Sequence, residues 1–268
     1  MNPIRFVIFS SYGNDSCALI QWAHEWKLEG VAVVYSDTGW ATTGWTDRVI
    51  EKESWVRSLG FTPYRTQSIG FRQLARNKKG FPTQRYQWCS YVLKIEPGMR
   101  WLEEYDPHKS AICIVGARRD EAADPLSTRA KFPEYLVRSE NHGGRMMLAP
   151  MVDWNAATRD ELLRRAGVEP LPHRSGECKC INSNKGDMRR FSEADIAEIE
   201  TAEAEIGRPM YRPHRHLGAT GIREVIRWAN SERGKYEPEP QQETCNSGWC
   251  EQSTPEAGRL ARPEVEER

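Results

Sequence analysis

The stretch FSSYGNDSCALIQWAHEW, residues 9–26, opens as the end of an apolar strand and closes as an amphipathic helix. Between the two lies a short polar turn, Ser11-Tyr12-Gly13-Asn14-Asp15-Ser16. Upstream, residues 5–11 (RFVIFSS) are an apolar run of strand length. Downstream, Leu19, Trp22, Ala23 and Trp26 recur at i, i+3, i+4 and i+7, and Gly30 supplies the C-terminal cap. A second apolar run, VAVVYSD at Val31–Asp37, follows at once. Strand, helix, strand at this spacing is a βαβ unit, whose crossover is expected to be right-handed. In an open α/β sheet, ligands bind beyond the carboxyl ends of the strands, near a helix N-terminus, and the turn 11–16 sits there. First-turn N–H groups favour an anion, serine hydroxyls add donors, and Gly13 allows a phosphate close to the backbone. The plainer alternative is a capped helix start with no ligand.

The alternation continues outward. Residues 46–59 have a helical pattern ending at Gly60, residues 61–67 read as a strand, and AICIVGA at 111–117 reads as another buried strand. Helices between parallel strands predict an α/β fold, a Rossmann-like, doubly wound and mostly parallel sheet. Beyond residue 150 the texture changes. A short helix over 159–166 gives way to PLPHRSGECKCINSNKG, and Ser192 then caps a helix with Ile196, Ile199 and Ile206 on one face. A last helix, 219–230, is expected to bury Ile222, Val225, Ile226 and Ala229. From residue 231 onward the chain is rich in Pro, Glu and Gln and is expected to be mobile, except where Cys245 and Cys250 fasten it.

Across 268 residues, 38 basic side chains balance 38 acidic ones, so no global field argues for nucleic acid or membrane. Charge is locally uneven. Residues 65–100 carry eight Lys/Arg against one acid, Glu96, whereas residues 193–205 carry six acids and no base. The acidic run reads as a solvated face. The N-terminal apolar run is too short for a signal peptide and no 18-residue apolar stretch exists, so a cytoplasmic protein without a membrane partner is expected. Its seven cysteines are then reduced, and clusters favour metal over disulfides. Cys178-x-Cys180 and Cys245-x₄-Cys250 lie in loops and suit one four-thiolate site. Zinc and a 4Fe–4S cluster both take four thiolates, and spacing leaves the choice open. Cys17 and Cys113 read as core residues. Cys89, beside Trp88, is a packed thiol, a cluster ligand or a sulfur-accepting nucleophile.

Three further stretches belong with the opening turn. Asp37-Thr38-Gly39 ends the second strand, where an acid and a tight turn can meet a ribose, an adenine or magnesium. QRYQWCSYVLK places Arg85 and Lys94 in one basic segment suited to polyphosphate. VGARRDEAADPLSTR ends the 111–117 strand with Gly116 and follows it with Arg118, Arg119, Asp120, Glu121 and Arg129. Together the four stretches resemble the phosphoadenosine phosphosulfate (PAPS) reductase branch of the PP-loop, or adenine-nucleotide alpha-hydrolase, superfamily. SYGNDS resembles the family's SGGxDS-type loop, with Tyr12 replacing a glycine and Asn14 replacing the usual lysine. SDTG, QWCSYVLKIEP and GARRDEAADPLSTR follow in the family's order, over roughly residues 4–150.

The resemblance implies an adenine nucleotide, ATP, held at Ser11, Tyr12, Gly13, Asn14, Asp15 and Ser16. It places Asp37, Thr38 and Gly39 by the nucleotide or its Mg2+, and adds Gly116 and Arg118 to the nucleotide contacts. Lys94, Arg85 and Arg119 are the implied catalytic residues on the phosphate side, with Lys94 and the basic stretch 72–79 offsetting the charge that Asn14 removes. It favours 4Fe–4S over zinc at Cys178, Cys180, Cys245 and Cys250. The expected division is a PP-loop α/β domain at 1–170, a helical region with the cysteine site at 171–250, and a flexible tail at 251–268. The implied activity is ATP pyrophosphatase: pyrophosphate release and adenylation of an acceptor for sulfur transfer. That acceptor is expected in nucleic acid, with a cysteine desulfurase or other sulfur donor as partner. A sulfonucleotide reductase is the alternative, although its E-C-G-x-H-type motif is approached only by GECKC at 176–180. A non-catalytic nucleotide-binding module is the third class.

Overall fold

The computed structural model describes residues 3–122, 130–134, 136–211 and 221–232. Six strands form one sheet in the order β3-β2-β1-β4-β6-β5. They are β1 (Phe6–Phe9), β2 (Val31–Asp37), β3 (Thr62–Gln67), β4 (Ile112–Ile114), β5 (Val137–Ser139) and β6 (Arg145–Leu148). All pairings are parallel except the edge pair β5–β6. The expected doubly wound sheet is therefore present. In β2 every residue but the last is buried, as a strand covered on both faces requires.

Helices α1 (Asn14–Glu25), α2 (Trp45–Ser58) and α6 (Ala156–Arg165) share one core with the sheet, built on Ile8, Leu19, Ile20, Val33, Val49, Val56 and Leu163. Of the α1 stripe read from sequence, Leu19 and Ala23 are buried and Trp22 packs against the core. Trp26 instead caps the helix, which ends at Glu25, and is 67% exposed. On the other face, Val7, Ala32 and Val34 meet Trp101 and Leu102. These two belong to α5 (Glu96–Tyr105), preceded by α4 (Trp88–Ser90) and a π-helical turn at Tyr91–Ile95. Pro97 can donate no backbone hydrogen bond, and the Glu96 N–H reaches back five residues to Tyr91, widening the turn.

Helix α3 (Phe71–Lys78) joins a third core. There Trp40, Phe71, Leu74 and Leu93 pack with Ile181 of the preceding loop and with Met188, Ile196, Ile199 and Ile222 from α7 (Lys185–Arg189), α8 (Glu193–Ile206) and α9 (Ile222–Ala229). Ser192 caps α8 as read, in a reciprocal capping box with Asp195. The acidic run on α8 is more than a solvated face. Glu205 pairs with Arg72 and Arg76, Arg223 pairs with Glu193 and Glu200, and Glu203 accepts the N–H groups of Met210 and Ile222. Among the described residues, no helix is long and apolar enough to cross a membrane.

Candidate functional site

Strand β1 pairs with β2 on one side and β4 on the other, which makes the crevice beyond β1 and β4 the sheet's topological switch point. Two loops line it, 10–13 before α1 and 115–118 after β4. The second loop is in contact with the first turn of α1: a Cβ at Gly116 would sit 3.5 Å from the Asp15 carbonyl oxygen. Serine hydroxyls brace the first loop: the Tyr12 N–H donates to Ser10 Oγ at 3.0 Å, the Gly13 N–H to Ser11 Oγ at 3.3 Å, and Ser16 Oγ to the Gly13 carbonyl at 3.2 Å. Tyr12 has φ +58°, which explains why a glycine is expected there. The tyrosine offsets that strain by burying its ring completely against Tyr35, with centroids 5.8 Å apart.

Under the loop lies Arg118, only 1% exposed. Its Nε donates to Asp15 at 2.6 Å, its Nη1 to both Asp120 oxygens at 2.8 Å, and its Nη2 to Glu121 at 2.7 Å. Burial works against the charge, but Asp15, Glu121 and Asp120 outweigh it and hold the guanidinium well above its usual range. Arg159, also buried, approaches Asp15 at 3.6 Å. The Asp15 carboxylate thus faces two guanidinium groups that tie α1 to the β4 loop and α6.

Asn14 is buried and turned toward a distant segment: Nδ2 donates to the Leu171 carbonyl at 2.9 Å and the Leu171 N–H returns to Oδ1 at 2.8 Å. These bonds dock the strap 171–180 across the site. Ser175 touches Gly13, where an added Cβ would meet the Ser175 Cβ at 3.0 Å. Gly176 fits only because it lacks a side chain, since a Cβ would lie 2.1 Å from Thr42 Oγ1. Thr38 Oγ1 donates to the Glu177 carbonyl at 2.8 Å, and Trp40 and Lys179 exchange backbone and indole bonds.

The strap closes a cavity lined by Thr38, Lys94, Glu177, Cys89, Cys178 and Cys180. Lys94 Nζ pairs with Glu177 Oε1 at 2.5 Å, both side chains being under 10% exposed. Burial opposes the Lys94 charge, yet Glu177 and Cys178 hold the ammonium above the usual lysine range. Burial, then the neighbouring Cys180, pushes the Cys89 thiol up to about 11, and burial and Cys180 likewise push Cys178 up. The cavity therefore sets the raised thiols of Cys89 and Cys178 beside an ion pair.

The remaining sequence-derived residues are dispersed. Asp37 is exposed at the end of β2 and accepts the Gly39 N–H at 2.8 Å, while Gly39 has φ +61° and a Cβ there would lie 3.3 Å from the Gly70 Cα. Arg85 is exposed. Arg119 turns to the Phe132 carbonyl, Glu134 and Asp153. Cys17 and Cys113 are buried as read. Cys245, Cys250 and Arg129 lie outside the described residues. Among the described residues, no group of three or more His, Cys, Asp or Glu is arranged to hold a metal ion. Glu177, Arg174 and Ser175 line the cavity without having been singled out, and the glutamate's only sequence signal is its place before Cys178.

Residues 5–178 match the model of the phosphoadenosine phosphosulfate reductase domain. The chain is 35% identical over 77 residues to an uncharacterized protein of Methanocaldococcus jannaschii, a match covering 29% of this chain and 17% of that protein. Similar solved structures include the PAPS reductase of Candida auris in a phosphate complex, with 15% identity, TM-score 0.43 and coverage of 63% of this chain and 75% of that one. The NMN synthetase of Francisella tularensis is 15% identical, with TM-score 0.46 and 85% of each chain covered. The NH3-dependent NAD synthetase of Campylobacter jejuni is 14% identical, with TM-score 0.42 and coverage of 80% of this chain and 90% of that one.

Proposed function

The chain belongs to the phosphoadenosine phosphosulfate reductase domain family, and from that premise we propose that it is an ATP pyrophosphatase serving sulfur transfer. The observation that carries this reading is the braced loop 11–16 at a helix N-terminus on the switch point, with the buried ammonium of Lys94 in the adjoining cavity. In this reading ATP lies with its phosphates over the loop. An acceptor oxygen attacks the α-phosphorus, the bond to the bridging oxygen breaks, and pyrophosphate leaves with its electron pair. The product is an adenylated acceptor, from which a sulfur nucleophile then displaces AMP. Backbone N–H groups and the hydroxyls of Ser11 and Ser16 orient the phosphates, and Lys94 stabilises charge growing on the leaving group. Arg118 holds Asp15 and the two loops in register.

Magnesium would share the charge of the leaving pyrophosphate, and the exposed carboxylate of Asp37 is the group at the strand ends suited to it. For a metal centre, Cys178 and Cys180 are the described donors, soft ligands of the kind a 4Fe–4S cluster or zinc takes; Cys89 shares their cavity, but the three are not gathered into a metal-holding group in this structure. Cys245 and Cys250 are the sequence's further donors. The acceptor in nucleic acid and a cysteine desulfurase as sulfur source belong to the same proposal, as does a cytoplasmic location.

The family's own description favours a second reading, sulfonucleotide reduction, in which Cys178 or Cys180 is the nucleophile. Sulfite release from a sulfonucleotide in the presence of a dithiol reductant would select it. Nucleotide binding without any turnover would select the non-catalytic module.

Replacing both Ser11 and Ser16 by alanine is expected to weaken ATP binding at least about tenfold, the loss of one hydrogen bond to a charged group or more. Calorimetric titration of the folded double variant measures it. Wild-type affinity would remove the loop from the nucleotide site.

A further inference from the structure

The eight Lys/Arg of residues 65–100 divide cleanly in the fold. Arg65 pairs with Glu53, Arg72 and Arg76 with Glu205, Lys94 with Glu177, and Arg100 with Glu96. The other three, Lys78, Lys79 and Arg85, are exposed and form no ion pair among the described residues. They are consecutive among the segment's cations, at the end of α3 and in the loop that follows it. Two large aromatic side chains share this stretch and are not packed into the core: Tyr86 is 58% exposed and Tyr91 55% exposed.

The aromatic pair brackets Cys89 and Ser90, which line the cavity. The segment is anchored from beneath, since Phe81 and Trp88 both stack on Phe71, with centroids 6.2 and 6.4 Å away. A Thr83–Tyr86 turn, with reciprocal backbone bonds at 3.1 and 3.2 Å, fixes the tip that presents Arg85 and Tyr86. Three cations without an ion pair among the described residues and two exposed phenol rings thus share the segment that supplies Cys89 and Ser90 to the cavity lining.

We propose that residues 78–91 are a docking surface for a single-stranded polynucleotide. Tyr86 and Tyr91 stack on bases, and Lys78, Lys79 and Arg85 follow the phosphates. This deepens the reading above, on which it rests for the purpose of docking, by giving the acceptor class a place beside the cavity. Charge complementarity decides the occupant. Every aromatic base offers a face to tyrosine, and a run of free cations without a carboxylate suits a polyanion. Overall neutrality of the chain makes the surface a local device, with affinity that depends on salt rather than on sequence.

The test uses the full chain and fluorescence anisotropy with a labelled single-stranded oligonucleotide about 16 nucleotides long, as DNA and as RNA, and with the corresponding duplex. Three phosphate contacts predict that log affinity falls against log salt with a slope of about −2 for single strands. Tyr86→Ala with Tyr91→Ala is expected to lose at least about fivefold in affinity at constant salt. Lys78→Gln, Lys79→Gln and Arg85→Gln together are expected to flatten the slope to near zero. Thermal unfolding of both variants, and ATP binding of the tyrosine variant, should match wild type, because both tyrosines are largely exposed. Failure of the wild type to bind single strands at low salt would overturn the surface, and would be the outcome if the patch serves a protein partner. Binding that both variants leave unchanged, or that prefers the duplex, would overturn it too. Oligonucleotide binding without ATP turnover would sustain the surface while removing the pyrophosphatase reading; the reverse result would do the opposite.

Discussion

Arg118→Met is expected to lower the free energy of unfolding by about 3–5 kcal/mol at neutral pH. The guanidinium is 1% exposed and answers three carboxylates at once, one on α1 and two in the turn Arg119–Glu121. Removing it leaves Asp15, Asp120 and Glu121 facing one another, with Glu121 itself almost fully buried. Methionine fills much of the volume, so the loss reports charge rather than a cavity. Protonating carboxylates removes their mutual repulsion. The gap between variant and wild type should therefore narrow in acid. Urea unfolding at neutral and at acidic pH measures both. A loss under about 1 kcal/mol would mean that the loop is held together by something other than this guanidinium.

Lys94 predicts a separation of stability from turnover. Lys94→Met strands the buried Glu177 carboxylate and is expected to cost about 3–5 kcal/mol. Adding Glu177→Gln removes the orphaned charge, and the double variant should regain most of that stability, because exchanging a buried ion pair for neutral groups is often nearly neutral. Turnover should not return. The ammonium is the group proposed to meet the leaving pyrophosphate, and its loss is expected to slow AMP formation at least about tenfold in both variants. Recovery of turnover in the double variant would reduce Lys94 to a structural partner of Glu177.

The α/β architecture was legible because its signals are local. The apolar runs of β1 and β2, and the helical stripe of α1, each lie within a single element. The 11–16 loop was legible for the same reason, down to the position where a glycine is expected and Tyr12 stands at positive φ. What eluded the sequence depends on distant partners. Asn14 reads as a weakened phosphate ligand until its partner Leu171 is seen 157 residues away, and Glu177 acquires meaning only from Lys94, 83 residues away. Cys89 joins Cys178 and Cys180 through the same strap. Strands β5 and β6 escaped notice because they span only three and four residues and carry arginines. The π-helical turn has no period of its own to read.

The most direct test of the account is the product of ATP. Purified full-length protein, incubated anaerobically with ATP, magnesium and single-stranded oligonucleotide, should yield AMP and pyrophosphate in equal amounts, separated by anion-exchange chromatography. The loop 11–16 is short and carries no G-x-x-x-x-G-K-[ST] pattern of the kind that positions a γ-phosphate for transfer. ADP and inorganic phosphate as the main products would contradict the account.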